Sequence, residues 1–306
     1  MSARNNLSSF PLPVSVIVLT KNESANIDKC LESVKEFDEV FVVDSHSTDD
    51  TVERTKQYPN AHVVPFQWNG DFPKKKQWAL DNCPMTHDWV LMLDADEEVT
   101  AELRDEIGQV AADPNAKTAY FISYDNYFLG RRLVHGSHSM KLIFFRRGSA
   151  RFIPQNELIV STMWEVEGNY QPKIEGDVGQ LKHHALHKDC KTLFHYYKRH
   201  NRYSDLEAVH RIHLHRIEES YPPVRRFLKR MLRKTPGSGF LYFIHSYLFK
   251  LGFLDGRAGL AFALSRLVYF TQIECKVFEL KLNPDIMQRH YQDKGVQASE
   301  TISERA

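Results

Sequence analysis

The first hundred residues alternate between short apolar runs and longer segments in which apolar residues recur at helical spacing. The apolar runs are rich in β-branched residues and end in polar ones, which is typical of buried strands. The runs are VSVIVL (14–19), EVFVVD (39–44), AHVVPF (61–66) and DWVLMLD (88–94). A helical pattern follows each of the first three, and the first of these patterns places Ile27, Leu31 and Val34 on one face. This order predicts an α/β fold with a mostly parallel, doubly wound sheet.

The pattern is less regular beyond residue 100. Three apolar runs, TAYFISY, MKLIFF and ELIVSTMWEVEG, fall between residues 118 and 168 and predict extra strands and loops that close over a site. A helical stretch rich in His and Arg extends from about 188 to 217, and a further helical section runs to about 281. The tail beyond Asn283 is polar. These segments predict a helical C-terminal part.

Composition narrows the class of protein without identifying it. The chain has 306 residues, of which 42% are hydrophobic and 26% charged, and this is ordinary for a globular protein. The four cysteines are scattered and form no CxxC pair, so we expect neither a disulfide framework nor a zinc site built on them. The N-terminal stretch MSARNNLSSFPLPV lacks the apolar core of a signal peptide, and we expect a cytoplasmic protein.

The net charge of +1 hides an asymmetry between two parts of the chain. Residues 1–112 carry ten Lys and Arg against twenty Asp and Glu, whereas residues 182–234 carry fourteen against five. An acidic half joined to a basic segment indicates two different partners.

The fourth apolar run ends in the acidic sequence DADEE (94–98), which raises the question of what neutralises four carboxylates within five positions. Asp94 and Asp96 alternate in extended chain and therefore point the same way, as ligands of Mg²⁺ or Mn²⁺ bound to a diphosphate would. In parallel sheets ligands bind at the carboxyl ends of the strands. The clusters TKNE, DSHSTDD and KKK follow the first three strands there, so together they predict a nucleotide or phosphate site.

Other readings of these motifs are weaker. The chain has neither GxGxxG nor GxxxxGK[ST], which argues against a dinucleotide fold and a P-loop. The acidic run would also serve as the first turn of a helix. A haloacid-dehalogenase-like phosphatase places D-x-D after its first strand, whereas three strand–helix units come first here.

The order VSVIVLTKNESANIDKCLESV, DEVFVVDSHSTDDT and DWVLMLDADEEV resembles the family 2 glycosyltransferases of GT-A fold. The chain most resembles the branch of lipopolysaccharide-core and other cell-envelope glucosyltransferases. Most of the matching positions lie within residues 14–100. The resemblance implies a Rossmann-like, mostly parallel sheet and an inverting transfer of a sugar from a nucleotide diphosphate sugar, assisted by Mg²⁺ or Mn²⁺. It suggests a GT-A domain at 1–182, a basic, amphipathic helical region at 183–283 and a polar tail at 284–306.

The resemblance also implies roles for individual residues. The side chains that would line the nucleotide pocket are Thr20, Asn22 and Glu23. Asp44 would hydrogen-bond the base or ribose, and Lys76 would lie near the base or diphosphate. Asp94 and Asp96 would hold the ribose and the metal, with His187 as a further metal ligand. On a helix, His183 and His187 would share a face, and local packing is an equally good explanation of either histidine.

Inverting transfer needs one base to deprotonate the acceptor hydroxyl. The segment KLIFFRRGSARFIPQNELIV resembles the family region in which an Arg-containing strand precedes a His-Glu pair. Here the pair is Asn156-Glu157, so the His is missing and Glu157 is the candidate base. Glu165 and Glu167 are the alternatives.

The segment VRRFLKRMLRK (224–234) has the pattern of a basic amphipathic helix at an anionic membrane surface. Fifteen residues without Asp, Glu, Lys or Arg follow it (235–249), and charged residues interrupt the longer apolar run. We therefore expect peripheral binding to the inner face of the cell membrane and no transmembrane helix. An ordinary helical core would explain part of this stretch.

These observations favour an inverting, metal-dependent hexosyltransferase that acts on a lipid-linked or lipopolysaccharide-type glycan acceptor, with no nucleic acid as a partner. The alternative is a non-catalytic protein of the same fold that binds a nucleotide sugar or a polyanion.

Overall fold

The structure is a computed structural model that describes residues 11–136, 138–153, 165–167, 171–188, 192–213 and 237–283. The described residues form two compact units. The first unit holds the residues up to 132, those of 138–153 and those between 165 and 189. The second holds the residues between 133 and 137 and those from 190 onward.

The first unit is built on one mixed sheet. In the described part of the chain its nine strands are β1 (Leu12–Thr20), β2 (Phe37–Asp44), β3 (Ala61–Pro65), β4 (Trp89–Asp94), β5 (Glu97–Glu98), β6 (Ala119–Phe128), β7 (Arg131–Arg132), β8 (Ser139–Arg146) and β11 (Val178–His187). Two further short strands, β9 (Ala150–Arg151) and β10 (Lys173–Ile174), pair with each other. The helices of this unit are α1 (Ile27–Ser33), α2 (Thr51–Thr55), α3 (Lys75–Asn82) and α4 (Ala101–Ala112).

The strands of the large sheet follow the order β3-β2-β1-β4-β8-β6-β11-β5, with β7 paired to β6. The first four are parallel, β8 runs antiparallel to both β4 and β6, and β6 and β11 are parallel. This arrangement confirms the predicted α/β fold with its mostly parallel sheet. Strand β1 lies inside the sheet, and its side chains from Val16 to Val18 are fully buried, as a continuous apolar run requires.

The capping of two helices shows how distant segments support this sheet. Helix α4 begins after Thr100, whose hydroxyl accepts a hydrogen bond from the backbone N–H of Leu103 and donates one to the carbonyl of His184. Helix α3 is capped by Glu167, whose carboxylate accepts hydrogen bonds from the backbone N–H groups of Lys76 and Gln77. An acceptor at this place satisfies N–H groups that the first helical turn leaves free.

From Leu193 onward the described part of the second unit is mainly helical, as predicted. It contains α5 (Leu193–His213), α6 (Ser238–Phe243), a π-helical turn (Ile244–Phe249), a 3₁₀ turn (Gly252–Asp255) and α7 (Gly256–Leu282). Helices α5 and α7 share a small core of buried residues that comprises Ala208, Tyr269, Ile273 and Leu280. Among the described helices, none combines the length and the apolar character needed to cross a bilayer.

One feature differs from the sequence expectations, and two others lie wholly or mostly outside the described residues. LKHHALH, considered above as a possible helix, is part of strand β11, which runs across the expected division at 182/183 and pairs with β6. The run ELIVSTMWEVEG lies outside the described residues except for 165–167, and these three are not in a strand. The basic segment 224–234 also lies outside the described residues.

Candidate functional site

The polar residues predicted to line a nucleotide pocket meet at the carboxyl edge of the central strands. Thr20 at the end of β1 is paired in register with Asp44 at the end of β2, and Leu19 is paired with Asp94 at the end of β4. Thr20 and Asp44 are both buried. The hydroxyl of Thr20 is buried without a hydrogen-bond partner among the described residues, so this edge contains a polar atom that a ligand could satisfy.

The loops after β1 and β2 are tied to each other by hydrogen bonds. Asn22 has a left-handed backbone (φ 54°), and its side-chain oxygen accepts a hydrogen bond from the N–H of Thr48 at 2.8 Å. The N–H of Glu23 donates to the hydroxyl of Thr51 at 2.9 Å. Asp44 fixes the turn after its own strand by accepting from the N–H of Ser47 at 2.8 Å. These contacts hold Asn22, Glu23 and Asp44 in a rigid frame.

Two side chains of the lysine cluster after β3, those of Lys75 and Lys76, have different surroundings. Lys75 is buried and donates from its ammonium group to the backbone carbonyl of Thr20 at 2.6 Å. Burial lowers the pKa of Lys75 to about 8, although the carboxylates of Glu165 and Asp44 counter part of that effect. Lys76, the residue predicted for the base or diphosphate, has its ammonium 5.8 Å from the centre of the Phe152 ring. Its charge also helps to hold down the pKa of Asp94.

Each carboxylate of the acidic run 94–98 has a cationic partner. The ammonium of Lys141 on β8 donates to both Asp94 and Glu97 at 2.5 Å. His187 at the end of β11 lies with its Nε2 atom 3.2 Å from Asp96. Lys188 donates to Glu98 at 2.6 Å. Two ammonium groups and one imidazole, which is charged only when protonated, therefore face the four carboxylates from β8 and from the end of β11.

Burial and the neighbouring charges shift the pKa values of Asp94, Glu97 and His187 in opposite directions. Burial alone would raise the pKa of Asp94, but the charges of Lys141 and Lys76 outweigh it and hold the pKa well below its usual range. Glu97 is almost fully buried, and burial raises its pKa despite the charge of Lys141. Burial would lower the pKa of His187, but Asp96 outweighs it and raises the pKa. Asp94 is therefore firmly ionised, whereas Glu97 depends on Lys141 for its charge.

The three predicted metal ligands come from two neighbouring parts of the fold and offer suitable donor atoms. Carboxylate oxygens of Asp94 and Asp96 suit Mg²⁺ and Mn²⁺, and an imidazole nitrogen such as that of His187 is a further ligand that Mn²⁺ accepts. The Nδ1 atom of His187 lies 3.2 Å from the side-chain oxygen of Asn126, which orients the ring. Lys141 occupies one oxygen of Asp94, so a cation at this place would share that carboxylate with the ammonium group. The donor set fits a divalent cation that brings further oxygen ligands with it.

The residue predicted as the base, Glu157, lies outside the described residues. The two alternatives are described. Both carboxylate oxygens of Glu167 accept backbone hydrogen bonds at the start of α3, and its side chain is buried, so its role is that of a helix cap. The carboxylate of Glu165 forms an ion pair with Lys21 at 3.2 Å.

Sequence reasoning missed two residues that the acidic run needs. Lys141 is a single lysine within the apolar run MKLIFF; a charged residue in an otherwise buried strand is a signal that could have drawn attention to it. Tyr124 donates its hydroxyl to Glu97 at 2.9 Å and is itself fully buried. Its position in the run TAYFISY carries no comparable signal, because aromatic residues are common in strands.

Comparison with known proteins shows similarity to one family of enzymes. The family model described as Glycosyl transferase family 2 matches residues 15–164. The lipopolysaccharide core biosynthesis glycosyltransferase LpsC of Rhizobium meliloti is 26% identical over 287 residues, which cover 90% of this chain and 96% of that protein. The uncharacterized glycosyltransferase RT0209 of Rickettsia typhi is 38% identical over 150 residues, which cover 48% of this chain and 44% of that protein. The chain therefore spans less than half the length of this rickettsial relative.

A solved structure is also similar along most of the chain. The mannosyltransferase PcManGT of Pyrobaculum calidifontis, solved in complex with GDP-Man and Mn²⁺, is 19% identical, with a TM-score of 0.46 and coverage of 89% of this chain and 90% of that one. The match to the family model includes the loops after β1 and β2 and the acidic run after β4, which form the edge described above. Residues 15–164 thus resemble glycosyl transferase family 2 in sequence, and they include the polar edge of the sheet.

Proposed function

We propose that this chain is an inverting, metal-dependent glycosyltransferase that moves a hexose from a nucleotide diphosphate sugar to a lipid-linked or lipopolysaccharide-type glycan acceptor. The observation that carries the proposal is the meeting of Thr20, Asp44 and Asp94 at one sheet edge in a family 2 domain. In α/β sheets this edge is where nucleotides bind. The similarity to LpsC over 90% of the chain supports the choice of a cell-envelope acceptor.

The donor would bind at the loops that the hydrogen bonds hold together. Asn22, Glu23 and the unpartnered hydroxyl of Thr20 offer polar contacts for the base and ribose, and Asp44 ends the neighbouring strand. Lys76 would contribute a positive charge near the diphosphate. Preorganised loops of this kind reduce the entropy that is lost when a ligand binds.

The acidic run would hold the cation. Asp94 and Asp96, with His187, would bind Mg²⁺ or Mn²⁺, which when bound stabilises the negative charge of the departing diphosphate. Lys141 keeps Asp94 and Glu97 ionised and in place. Glu157 would accept the proton of the attacking hydroxyl, because Glu167 is engaged as the cap of α3.

The second unit supports a membrane as the place where the acceptor is met. Large apolar side chains are exposed around the turns between α6 and α7, among them Phe249 at 76% and Leu254 at 55%. Phe240 on α6 is 58% exposed. Exposed apolar side chains that lie close together mark interaction surfaces, of which a lipid interface is one kind. The protein would then act as a peripheral protein on the cytoplasmic face of the cell membrane.

The direct test is an assay for sugar transfer and slow donor hydrolysis with a panel of nucleotide sugars in the presence of Mn²⁺ or Mg²⁺. Asp96→Asn should bind the donor more weakly in the presence of the cation and lose nearly all transfer, because it removes one charged ligand and leaves the shape of the side chain unchanged. Asp105→Asn on the exposed face of α4 is the matched control and should behave as the wild type.

Two outcomes would contradict the proposal. Transfer at the full rate in excess EDTA would refute the role of the cation. Tight binding of a nucleotide sugar with neither hydrolysis nor transfer, over a broad panel of acceptors, would favour a non-catalytic protein of the same fold.

A further inference from the structure

A second cluster of possible metal ligands lies away from the acidic run. Asp125 on β6, His184 on β11 and His138 directly before β8 bring one ligand atom each to within 4.8 Å of one another. The Nδ1 atom of His184 lies 2.7 Å from Oδ1 of Asp125, and the Nδ1 atom of His138 lies 3.2 Å from the same oxygen. Within the described part of the chain no other three His, Cys, Asp or Glu side chains come this close. Asp94, Asp96 and His187 do not either.

This cluster faces the opposite side of the sheet from the acidic run. Successive side chains of a strand point to opposite faces. Tyr124 and Asn126, on either side of Asp125, contact Glu97 and His187 respectively. Asp125 therefore points away from the acidic run, and the two groups of ligands are separated by the backbone of the sheet.

The carboxylate of Asp125 is held in a way that leaves one oxygen directed at both histidines. Its side chain is only 4% exposed. Arg132 donates to Oδ2 from its Nε atom at 2.8 Å, so Oδ1 is turned toward His138 and His184. The histidine side chains are 24% and 33% exposed, which leaves an open path from solvent.

We propose that Asp125, His138 and His184 bind a transition-metal ion, with Zn²⁺ as the best match. Two imidazole nitrogens and one carboxylate oxygen form a ligand set that binds Zn²⁺ more tightly than Mg²⁺. Three protein ligands leave the fourth coordination position for water. Ligands about 2.0–2.1 Å from a tetrahedral Zn²⁺ are roughly 3.3 Å apart. The distance of 3.2 Å between Nδ1 of His138 and Oδ1 of Asp125 matches this spacing, and the 2.7 Å between Nδ1 of His184 and the same oxygen would lengthen when the ion binds. Both Nδ1 atoms must then be unprotonated, with the ring protons on Nε2, and the metal would replace the contact of 3.2 Å between Nδ1 of His138 and the carbonyl oxygen of Tyr124.

Such an ion would link three segments of the sheet that are far apart in sequence. Residues 125, 138 and 184 belong to β6, the approach to β8 and β11, and these strands also carry Tyr124, Lys141 and His187 toward the acidic run. A metal on the opposite face would fix their positions without taking part in the reaction. This site is independent of the proposed function, because its ligands do not belong to the donor-binding edge.

The experiment measures binding of Zn²⁺ alone to the full chain, stripped of metal and free of nucleotide, by competition with a chromogenic chelator. His138→Ala and His184→Ala should each weaken the binding of one Zn²⁺ by at least about tenfold, because each removes a ligand. His183→Ala is the matched control, since His183 is the neighbour of His184 on β11 and pairs with Glu106 instead. His187→Ala tests whether the Zn²⁺ is bound at the acidic run instead.

A second measurement needs no variant. Co²⁺ added to the wild-type chain should produce the visible absorption of a four-coordinate site with nitrogen and oxygen ligands, and Zn²⁺ should abolish it and raise the melting temperature. Unchanged Zn²⁺ affinity in His138→Ala and His184→Ala would overturn the proposal. So would an equal loss in His183→Ala, a loss confined to His187→Ala, or a wild-type chain that binds no Zn²⁺ at micromolar concentrations.

Discussion

Replacing Lys141 with methionine would remove the charge on which the acidic run depends and keep most of the apolar part of the side chain. The ammonium bonds Asp94 and Glu97 at 2.5 Å, and Glu97 has only 1% of its side chain exposed. Breaking a buried ion pair from one side costs about 3–5 kcal/mol. Because Lys141 and Asp94 are 26% and 35% exposed, water would replace part of the lost interaction. We therefore expect the free energy of unfolding to fall by about 3 kcal/mol, at the lower end of that range.

The assay is chemical denaturation of the full chain at neutral pH, followed by circular dichroism. Lys188→Met is the matched control, because Lys188 pairs with Glu98 of the same run at 2.6 Å but that glutamate is 16% exposed. It should cost less than Lys141→Met, because Lys188 bonds a single carboxylate that keeps some contact with water. Adding Glu97→Gln to Lys141→Met should recover most of the loss, since an amide needs no counter-ion and can still accept the hydrogen bond from Tyr124.

Two results would refute this reasoning. The first is an equal loss of stability in Lys141→Met and Lys188→Met, which would mean that the burial of Glu97 is not what distinguishes the two lysines. The second is a double variant that is no more stable than Lys141→Met.

Three further predictions concern the base, the buried lysine and the membrane. Glu157→Gln should bind the donor normally and transfer sugar at least about a hundredfold more slowly, because a base acts on the acceptor proton; normal turnover would shift the role to Glu165. Burial lowers the pKa of Lys75 from 10.5 to about 8, so the folded chain releases this proton before the unfolded chain does. The free energy of unfolding should therefore rise between about pH 8 and pH 10.5, by up to about 3 kcal/mol, and denaturation at several pH values should show this rise in the wild type and in Lys76→Met but not in Lys75→Met. Reversal of four basic residues to Glu should release the protein from anionic vesicles in co-sedimentation, since each cation near the surface contributes about 1 kcal/mol; wild-type protein that fails to sediment at low salt would contradict this. The four residues are Arg225, Arg226, Lys229 and Arg230.

The local pattern of the chain was enough to predict the first half of the fold. The four apolar runs correspond to β1 to β4, and each strand begins and ends within two residues of the predicted bounds. The polar clusters at their ends were expected to meet, and Thr20 is in register with Asp44. Such predictions succeed because burial on both faces of a parallel strand leaves a continuous apolar run in the sequence itself. The sequence of strand β11 contains no continuous apolar run, because consecutive residues such as Lys182 and His183 are exposed.

The sequence by itself determined the order of strands and helices, the acidic run and the edge at which it lies. The tertiary structure alone decided which cations meet those carboxylates. Lys141 is 47 positions from Asp94 in sequence, and His187 is 91 positions from Asp96. Local periodicity cannot report on such pairs, because they depend on which strands become neighbours and in which register. The same holds for Asp125, His138 and His184, whose meeting requires β6, β8 and β11 to lie side by side with one particular face of each turned the same way.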